Sequence, residues 1–350
     1  MTASPVYFVL PGRPETPTGG FVYDRHMLRA MRARARLGGC MVLPGDYPNP
    51  SEQAREAAAR MIRALPNGAR LIVDGLAFAP LLDAFAIEAE RLAIYALVHH
   101  PLCDETGLAP KERARLFERE RRALALVRGV VATSRHTAAR IADFDVPLER
   151  MRVVRPGVVA TRRRPATPLS SEPLLLCVAS LTTRKGQDVL LRALARLRRF
   201  AWRLLLVGPV RDPAFAGYLR RLARGLRLGD RVSFRGVVGS VELARLYRAA
   251  DVFVLPSHYE GYGIAIAEAV RHGLPVIASE VGGIPEAVAG ARCRLVRPGD
   301  PAALAAALRP VLSASSIAGV RWRTPIDARP RSWATAGREF VEAIDDMACS

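Results

Sequence analysis

Residues 258–288, HYEGYGIAIAEAVRHGLPVIASEVGGIPEAV, are the stretch that decides the fold of this chain. They follow the apolar run DVFVLPS at 251–257, which is typical of a strand buried on both faces of a sheet. Within them a helical pattern ends at Gly273, and a second apolar run, LPVIAS, follows at 274–279. This order predicts strand, glycine-rich loop, helix and strand, the repeating unit of a parallel α/β sheet. The loop would place Glu260 at the carboxyl end of a strand, where such sheets bind ligands.

The chemistry of this loop indicates a ligand that carries both negative charge and hydroxyl groups. A helix N-terminus offers unpaired N–H groups and about half a positive charge, which favours a phosphate. Gly261 and Gly263 allow the backbone to come close to a ligand. A carboxylate beside a phosphate repels it, so Glu260 needs neutral hydroxyls as partners. A nucleotide-sugar has both kinds of group. For Glu260 or Glu268 alone, a solvated surface carboxylate is the commoner explanation, so the hypothesis depends on the whole segment.

The same alternation of apolar runs and helical stretches fills the rest of the chain. The remaining predicted strands are VYFVL (6–10), LIVDGL (71–76), LAIYALV (92–98), VRGVVATS (127–134), LLLCVAS (174–180), WRLLLVG (202–208) and RVSFRG (231–236). Helices are predicted at 51–65, 111–126 and 331–347. Proline and serine accumulate at 161–173, TRRRPATPLSSEP, which is the best candidate for a linker. The prediction is therefore an α/β chain with two doubly wound halves.

Length, charge and cysteine spacing limit the class of protein. The chain has 350 residues, 50% of them hydrophobic, which suits two domains with separate cores. Neither a signal peptide nor a membrane-spanning segment is expected from the apolar runs. The five cysteines have no paired spacing, so we expect neither a disulfide framework nor a zinc site, and a cytoplasmic location fits best.

The net charge of +19 has several explanations. All but two of the 52 basic residues are arginines, and the lysines are Lys111 and Lys185; such a bias is also what a GC-rich coding sequence produces. A nucleic-acid-binding protein is an alternative, but only 6% of residues are aromatic and the arginines lie scattered through helices. We therefore expect no nucleic-acid partner. Binding to an anionic membrane or to phosphorylated substrates remains open.

Several motifs, in order, resemble those of family 4 retaining glycosyltransferases, which have the GT-B fold. Glu260 and Glu268 match the two glutamates of the family's E-x7-E motif. VASLTTRKGQDVLLRALARL, LLLVGP, RVSFRGVV and ELARLYRAADVFVLPS are similar to successive parts of its C-terminal domain. PTGGFVYDRHM at 17–27 resembles its N-terminal glycine loop, and ALVHHPL at 96–102 the strand end that carries a histidine.

The resemblance implies two Rossmann-like domains that face an interdomain cleft. It implies an N-terminal domain at 1–165 on the acceptor side, a C-terminal domain at 166–326 on the donor side, and a helix at 327–350 that crosses back to the N-terminal domain. The linker would then be a two-stranded hinge.

The resemblance also implies roles for individual residues. Glu268 would hold the donor ribose, Glu260 would contact the transferred sugar, and Lys185 would neutralise the donor diphosphate. His99 aligns better than His100 with the family's catalytic histidine, and which of them faces the cleft stays open. The implied catalytic residues are thus His99, Glu260 and Lys185. The implied donor-binding residues are Gly19, Gly20, Arg184, Lys185, Gly208, Gly236, Glu260, Gly261, Tyr262, Gly263, Ile264 and Glu268.

One position departs from the family pattern. Many members carry an arginine about five residues before the lysine, where this chain has Ser180. Arg184 or Arg25 would have to supply a second cation for the phosphates, unless one cation and a helix N-terminus suffice.

The implied reaction is transfer of a sugar to a hydroxyl of a lipid-linked, glycan or small-molecule acceptor, with retention of configuration and without metal or cofactor. Retention would follow a front-face route, so Glu260 is not expected to be a nucleophile. A sugar-nucleotide hydrolase or epimerase on the same fold is the nearest alternative, and a non-catalytic relic of the fold is another. The donor sugar, its base and the oligomeric state cannot be predicted from the sequence.

The predicted helix at 111–127, KERARLFERERRALALV, has a basic amphipathic pattern. Leu116, Ala123 and Val127 fall near one face, and arginines at 113, 115, 119, 121 and 122 crowd the others. Such a helix either packs on a core with a solvated arginine face or binds an anionic membrane surface peripherally, at the inner face of the membrane.

Overall fold

The computed structural model of the protein describes residues 6–159, 171–289, 291–314, 320, 322 and 331–349. The chain divides into two compact units, one formed by Met1–Gly157 and Arg331–Ser350 and the other by Val158–Pro330. The domain boundaries predicted after residues 165 and 326 lie outside the described residues, as do residues 161–170 of the predicted linker and hinge. Among the described helices, none combines the length and apolar character that crossing a membrane requires.

The first unit alternates strands and helices along the chain. Its strands are β1 (Val6–Leu10), β2 (Leu37–Val42), β3 (Arg70–Asp74), β4 (Ala93–Val98), β5 (Gly129–Ala132) and β6 (Met151–Val153). Its helices before residue 158 are α1 (Gly19–Ala33), α2 (Glu52–Arg63), α3 (Gly75–Phe78), α4 (Leu82–Glu88), α5 (Pro110–Leu124) and α6 (Arg135–Ala142). The strands form one parallel sheet in the order β2-β1-β3-β4-β5-β6.

The second unit repeats this plan. Its strands are β7 (Leu174–Val178), β8 (Arg203–Val207), β9 (Val232–Gly236), β10 (Val252–Leu255), β11 (Val276–Ser279) and β12 (Cys293–Val296). Its helices are α7 (Gln187–Ala195), α8 (Pro213–Gly225), α9 (Ser240–Ala249), α10 (Ile264–Arg271), α11 (Ile284–Ala287) and α12 (Pro301–Leu312). The sheet is again parallel, in the order β12-β11-β10-β7-β8-β9.

The predicted pair of doubly wound α/β halves is confirmed, and the strands that sequence reasoning missed share a position. β2, β6 and β12 were not predicted, and all three are edge strands. Edge strands are buried less completely, so they lack the continuous apolar run that marks a central strand. In β2 buried positions are absent and the sequence LGGCMV contains two glycines, which weaken a strand signal further.

Each unit has its own hydrophobic core. The first packs the apolar faces of α2, α4 and α5 against the sheet around Phe85 and Ile94. The second centres on β7, β8 and β10, with Trp202 and Phe253 fully buried. The indole Nε1 of Trp202 donates to the carbonyl oxygen of Leu197 at 3.1 Å, which satisfies the one polar group of this large side chain.

The last helix, α13 (Trp333–Cys349), belongs to the first unit, as the predicted crossover requires. The ring of Trp333 stacks on His26 of α1, with centroids 4.0 Å apart. Gly337 lies so close to α1 that a Cβ built on it would be 2.4 Å from the Cβ of Ala30. Close approach of two helices at a small residue is therefore part of how α13 is held.

Candidate functional site

The loop between β10 and α10 is closed by backbone contacts with the second glycine pair. The N–H of Gly283 donates to the carbonyl oxygen of Glu260 at 2.9 Å. Gly282 has φ +58°, and a Cβ there would lie 1.9 Å from that same oxygen. Gly263, the residue before α10, has φ +98°. Gly263 and Gly282 therefore allow a backbone path that other residues rarely adopt, and this path fixes where Glu260 points.

Glu260 and Lys185 form a buried ion pair at the carboxyl edge of the second sheet. The Nζ of Lys185 donates to Glu260 Oε1 at 2.5 Å, and their side chains are 14% and 8% exposed. The hydroxyl of Ser257 donates to the same oxygen at 2.9 Å. Burial alone would raise the pKa of Glu260, but Lys185, Arg184 and these hydrogen bonds lower it below its usual value. The carboxylate is therefore ionised at neutral pH.

The turn that carries Lys185 is locked to the Glu260 loop. Gly186 has φ +65°, and a Cβ there would lie 2.1 Å from the carbonyl oxygen of Pro256. The N–H of His258 donates to the carbonyl oxygen of Arg184 at 2.8 Å. The Arg184 guanidinium donates to the carbonyl oxygen of Tyr259 at 3.1 Å. The two cations proposed for the phosphates therefore stand beside the carboxylate proposed for the sugar.

Glu268 lies on α10, one turn inside the helix, and has a partner that sequence reasoning missed. The hydroxyl of Tyr247 on α9 donates to Glu268 Oε2 at 2.9 Å and lies 3.1 Å from the carbonyl oxygen of Ala265. Burial raises the pKa of Glu268, and the hydrogen bond from Tyr247 opposes this. A tyrosine in a helical apolar pattern gives no sign of such a role, because its ring alone explains its place in the core.

The remaining donor-loop predictions fall at strand ends of the second unit. The N–H of Gly208, after β8, donates to the carbonyl oxygen of Gly236 at 2.8 Å, and a Cβ on Gly208 would lie 2.2 Å from the carbonyl oxygen of Ala179. Gly236 ends β9 with φ +66°. Gly261 is buried, Tyr262 packs partly against the core, and Ile264 begins α10. The fold therefore requires a glycine at position 208 whether or not a ligand binds there.

His99 follows β4 in the first unit and stands against two buried carboxylates. Its Nε2 is 3.1 Å from Asp24 Oδ1 and 3.5 Å from Asp74 Oδ2. Gly20, in the first turn of α1, approaches the ring so closely that a Cβ there would be 3.2 Å from His99 Cδ2. Gly19 begins the same helix. The structure therefore brings Gly20 and His99 together in the first unit, with Gly19 next to Gly20 in the first turn of α1.

Three other residues named from the sequence lie in different settings. His100 points its Nε2 to within 3.5 Å of Glu105 Oε2. The Arg25 guanidinium donates to the carbonyl oxygen of Pro14. The carbonyl oxygen of Ser180 accepts a hydrogen bond from the amide of Gln187 at 2.9 Å.

The chain contains one Asp-x-Asp triplet, DFD at 143–145, a pattern that can bind a metal. It directly follows α6, and its central residue, Phe144, is buried in the first core. Asp143 accepts a hydrogen bond from Arg140, and Asp145 Oδ2 lies 3.3 Å from the guanidinium of Arg121. Both carboxylates therefore already have arginine partners, which accounts for their charge without a metal.

Residues that sequence reasoning missed fall into two kinds. Ser257 lies in the quoted run DVFVLPS and hydrogen-bonds Glu260 three residues later, so a polar residue ending a buried strand was an available signal. Asp24 lies inside a helix, and Asp74 caps α3 by accepting from the N–H of Leu76 at 2.7 Å. No local pattern connects these two aspartates to His99, because α1, the end of β3 and the end of β4 come together only in the folded unit.

Part of the chain is similar to known proteins. The family described as glycosyl transferases group 1 matches residues 172–314, which include Lys185, Glu260 and Glu268. A D-inositol 3-phosphate glycosyltransferase of Streptomyces avermitilis is 37% identical over 232 residues, 59% of this chain and 50% of that protein. A GDP-mannose-dependent alpha-(1-6)-phosphatidylinositol monomannoside mannosyltransferase of Mycobacterium tuberculosis is 33% identical over 232 residues, 61% and 57% of the two chains. The chain thus spans about half the length of the curated relatives it matches.

The likeness to solved structures covers nearly the whole chain. The Anabaena protein Alr3699/HepE in complex with UDP-glucose superimposes with a TM-score of 0.74, covering 97% of this chain and 99% of that one at 18% identity. At that identity the likeness shows the fold alone. Residues 172–314 of the second unit thus match the group 1 glycosyl transferases, and the two parallel α/β units have the GT-B fold.

Proposed function

We propose that the protein is a glycosyltransferase that moves a sugar from a nucleotide-sugar to a hydroxyl acceptor, with retention of configuration and without a metal. The observation that carries the proposal is the buried Lys185–Glu260 pair, held at the carboxyl edge of the second sheet in a glycine loop that leads into α10. A cation beside a helix N-terminus suits a diphosphate, and ionised Glu260 suits sugar hydroxyls.

The proposed roles follow from charge. Lys185, with Arg184 beside it, would stabilise the negative charge that grows on the leaving diphosphate as the anomeric bond breaks. Glu260 would orient the transferred sugar through its hydroxyls. Glu268 would accept hydrogen bonds from the ribose. His99, in the first unit, would contact the reacting groups.

Glu260 is a poor candidate for a nucleophile. A double displacement needs a carboxylate oxygen that is free to attack the anomeric carbon. Oε1 of Glu260 accepts from Lys185 and Ser257, and with the nearby cations these bonds lower the pKa, and hence the basicity, of the whole carboxylate. Retention is better explained by a front-face route, in which the departing phosphate oxygen takes the proton of the acceptor hydroxyl.

A donor and acceptor panel tests the proposal directly. UDP- and GDP-sugars would be offered with D-inositol 3-phosphate, a phosphatidylinositol mannoside, simple glycans and no acceptor, and release of nucleoside diphosphate would be measured. These acceptors follow the names of the relatives and neighbours. We expect release that depends on an acceptor. Equal release without any acceptor would indicate a sugar-nucleotide hydrolase, and the absence of any product with every donor would contradict both readings.

Replacement of Glu268 by alanine should weaken donor binding at least about tenfold. One hydrogen bond to a charged group is worth about 1.5–3 kcal/mol, and 1.4 kcal/mol corresponds to a factor of ten. Calorimetric titration with the best donor from the panel gives the dissociation constant. The matched control is Glu242→Ala, which removes an exposed glutamate of neighbouring α9. Donor affinity that is the same in both variants would remove Glu268 from the ribose site.

We also propose that one face of α5 binds an anionic membrane surface. Three of its five arginines are engaged within the unit: Arg113 donates to the carbonyl oxygen of Cys103, Arg119 to that of Ala79, and Arg121 to Glu118. Lys111, Arg115 and Arg122 remain exposed. Their spacings of four and seven residues place all three on one face of the helix. Exposed Glu118 lies on the same face and pairs with Arg121, so this basic stripe has a net positive charge.

Changing this stripe to glutamine should abolish binding to anionic vesicles. Each Lys or Arg near an anionic surface contributes about 1 kcal/mol, so the Lys111, Arg115 and Arg122 triple variant should lose about a hundredfold in partition coefficient. Sedimentation with anionic and neutral vesicles at low and high salt provides the measurement. A triple variant of Arg13, Arg29 and Arg34 is the control with equal loss of charge. If the unchanged protein does not bind anionic vesicles at low salt, the membrane proposal is wrong.

A further inference from the structure

His99 is held from several sides by groups that are not part of any local sequence motif. Its Nε2 faces Asp24 Oδ1 of α1 at 3.1 Å and Asp74 Oδ2 at the end of β3 at 3.5 Å. Asp24 is fully buried, Asp74 is 3% exposed, and the His99 side chain is 19% exposed. Two nearly buried carboxylates therefore aim at one ring nitrogen.

The backbone of His99 is fixed as well. The hydroxyls of Thr133 and Thr137 donate to its carbonyl oxygen, at 3.2 and 3.4 Å. The ring of Tyr23 meets the imidazole edge to face, with centroids 5.4 Å apart. Gly20 leaves room for the ring where a larger residue would not. The imidazole is therefore held with its Nε2 directed at the two carboxylates.

We propose that Asp24 and Asp74 are positioning residues, which hold His99 as an imidazolium with its Nε2–H on the carboxylates, so that Nδ1–H serves sugar transfer as a hydrogen-bond donor and never as a base. Two carboxylates beside one nitrogen favour the protonated ring by direct charge attraction, and a buried carboxylate needs such a cation. The role in transfer rests on the proposed glycosyltransferase function, whereas the charge state of His99 does not.

The electrostatics of the site support this assignment. Burial alone would lower the pKa of His99, but Asp24 and Asp74 together outweigh it and raise the pKa from 6.5 to about 10. Burial raises the pKa of Asp24 to about 7, against the opposing effect of His99. The other titratable groups nearby are Tyr23, whose pKa burial raises so that it stays neutral, and His100, which faces Glu105. Between these two pKa values the Asp24 carboxylate and the His99 imidazolium are therefore both charged.

The protonated state has a chemical consequence for the reaction. An imidazolium has no lone pair, so His99 cannot take the proton of the acceptor hydroxyl. The proton must go to another group, and the departing phosphate oxygen of the front-face route is the acceptor that remains. The cation at His99 instead stabilises developing negative charge through Nδ1–H.

Nuclear magnetic resonance of the histidine side chains tests the charge state without any activity measurement. Labelled protein would be titrated between pH 6 and 10, with the His99 signal assigned from a His99→Gln sample. We expect the ring to stay protonated to at least pH 8.5 in the unchanged protein. His26, whose pKa burial and nearby arginines lower to about 4, gives a neutral reference in the same spectrum.

The two aspartates are tested by isosteric variants. In Asp24→Asn and in Asp74→Asn, the His99 midpoint should fall by two pH units or more, a hundredfold change in proton affinity. In Asp74→Asn, the new side chain keeps an oxygen that can cap α3, so this variant should fold. It provides the test if Asp24→Asn fails to fold. Asp83→Asn, at a side chain that is 80% exposed, is the control and should leave the midpoint unchanged. If a sugar-transfer assay is in place, the two variants should lose turnover as the pH rises through their lowered His99 midpoint of about 8, while the unchanged protein should not lose turnover in this range.

The outcomes separate this inference from the proposed function. A neutral His99 at pH 8 in the unchanged protein would overturn the inference, as would a midpoint that neither aspartate variant moves. A His99 signal that shifts on addition of Zn²⁺ or Mn²⁺ would also overturn it, because a metal would then take the place of the proton. A protonated His99 in a protein that releases no nucleotide with any donor would leave the inference standing and remove the transferase proposal.

Discussion

The Lys185→Ala variant should turn over a nucleotide-sugar about a hundredfold more slowly at saturating donor and should unfold at a lower temperature. Removing one group that stabilises transition-state charge typically costs a factor of about a hundred or more in turnover. Removing one partner of a buried ion pair leaves the other charge without compensation, here Glu260 with a side chain that is 8% exposed. That loss is worth about 3 kcal/mol of unfolding free energy.

The two effects can be separated by a second substitution. In Lys185→Ala with Glu260→Gln, no uncompensated charge is left, so much of the stability should return while turnover stays low. At about 2–4 °C per kcal/mol for a unit of this size, the single variant should melt about 6–12 °C lower. Initial rates of nucleoside diphosphate release and thermal unfolding curves provide both measurements.

The only other lysine offers a matched control. Lys111 is exposed at the start of α5, in the other unit, so Lys111→Ala removes the same charge from the chain without breaking a buried pair. In an assay with a water-soluble acceptor and no membrane, it should retain both turnover and melting temperature. Wild-type turnover in Lys185→Ala would assign the phosphate role to Arg184, and an unchanged melting temperature would contradict the energetic importance of the pair.

The second unit could be predicted from the sequence in more detail than the first. Its strand, loop and helix signals are contiguous, so one stretch contains Glu260, Gly263 and Glu268 at spacings that the structure turns into one loop and one helix. Lys185 could be connected with them only through the family resemblance. Its place beside Glu260 depends on the pairing of β7 with β10, two strands separated by about 75 residues.

The cluster around His99 could not be predicted from local sequence patterns. Asp24 sits inside a helix whose apolar stripe explains its neighbours, and Asp74 ends a buried strand as an ordinary cap. Both become informative only when the order β1-β3-β4 of the sheet puts their elements side by side. A charged residue on the apolar face of a predicted helix indicates that it has a partner in the fold, but it does not identify that partner. The structure supplies that partner.

Replacement of Gly282 by alanine should destabilise the second unit by about 3 kcal/mol and abolish tight donor binding. The residue has φ +58°, a left-handed conformation that costs a residue with a Cβ about 1–2 kcal/mol. The new Cβ would also lie 1.9 Å from the carbonyl oxygen of Glu260, so the backbone must move. Movement there breaks the hydrogen bond from the Gly283 N–H and displaces the Glu260 carboxylate from Lys185 and Ser257.

The control for this variant is the same substitution at an unconstrained glycine. Gly229 lies in the turn before β9, and a Cβ there would meet no atom within 4 Å, so Gly229→Ala should leave stability and donor affinity close to those of the unchanged protein. Thermal unfolding and calorimetric donor titration of both variants form the comparison. If Gly282→Ala bound donor as tightly as Gly229→Ala does, the loop geometry around Glu260 could not be what creates the donor site. If Gly282→Ala melted at a lower temperature but kept full donor affinity, the substitution would have strained the fold without moving Glu260. A displaced Glu260 could not keep its contact with the sugar.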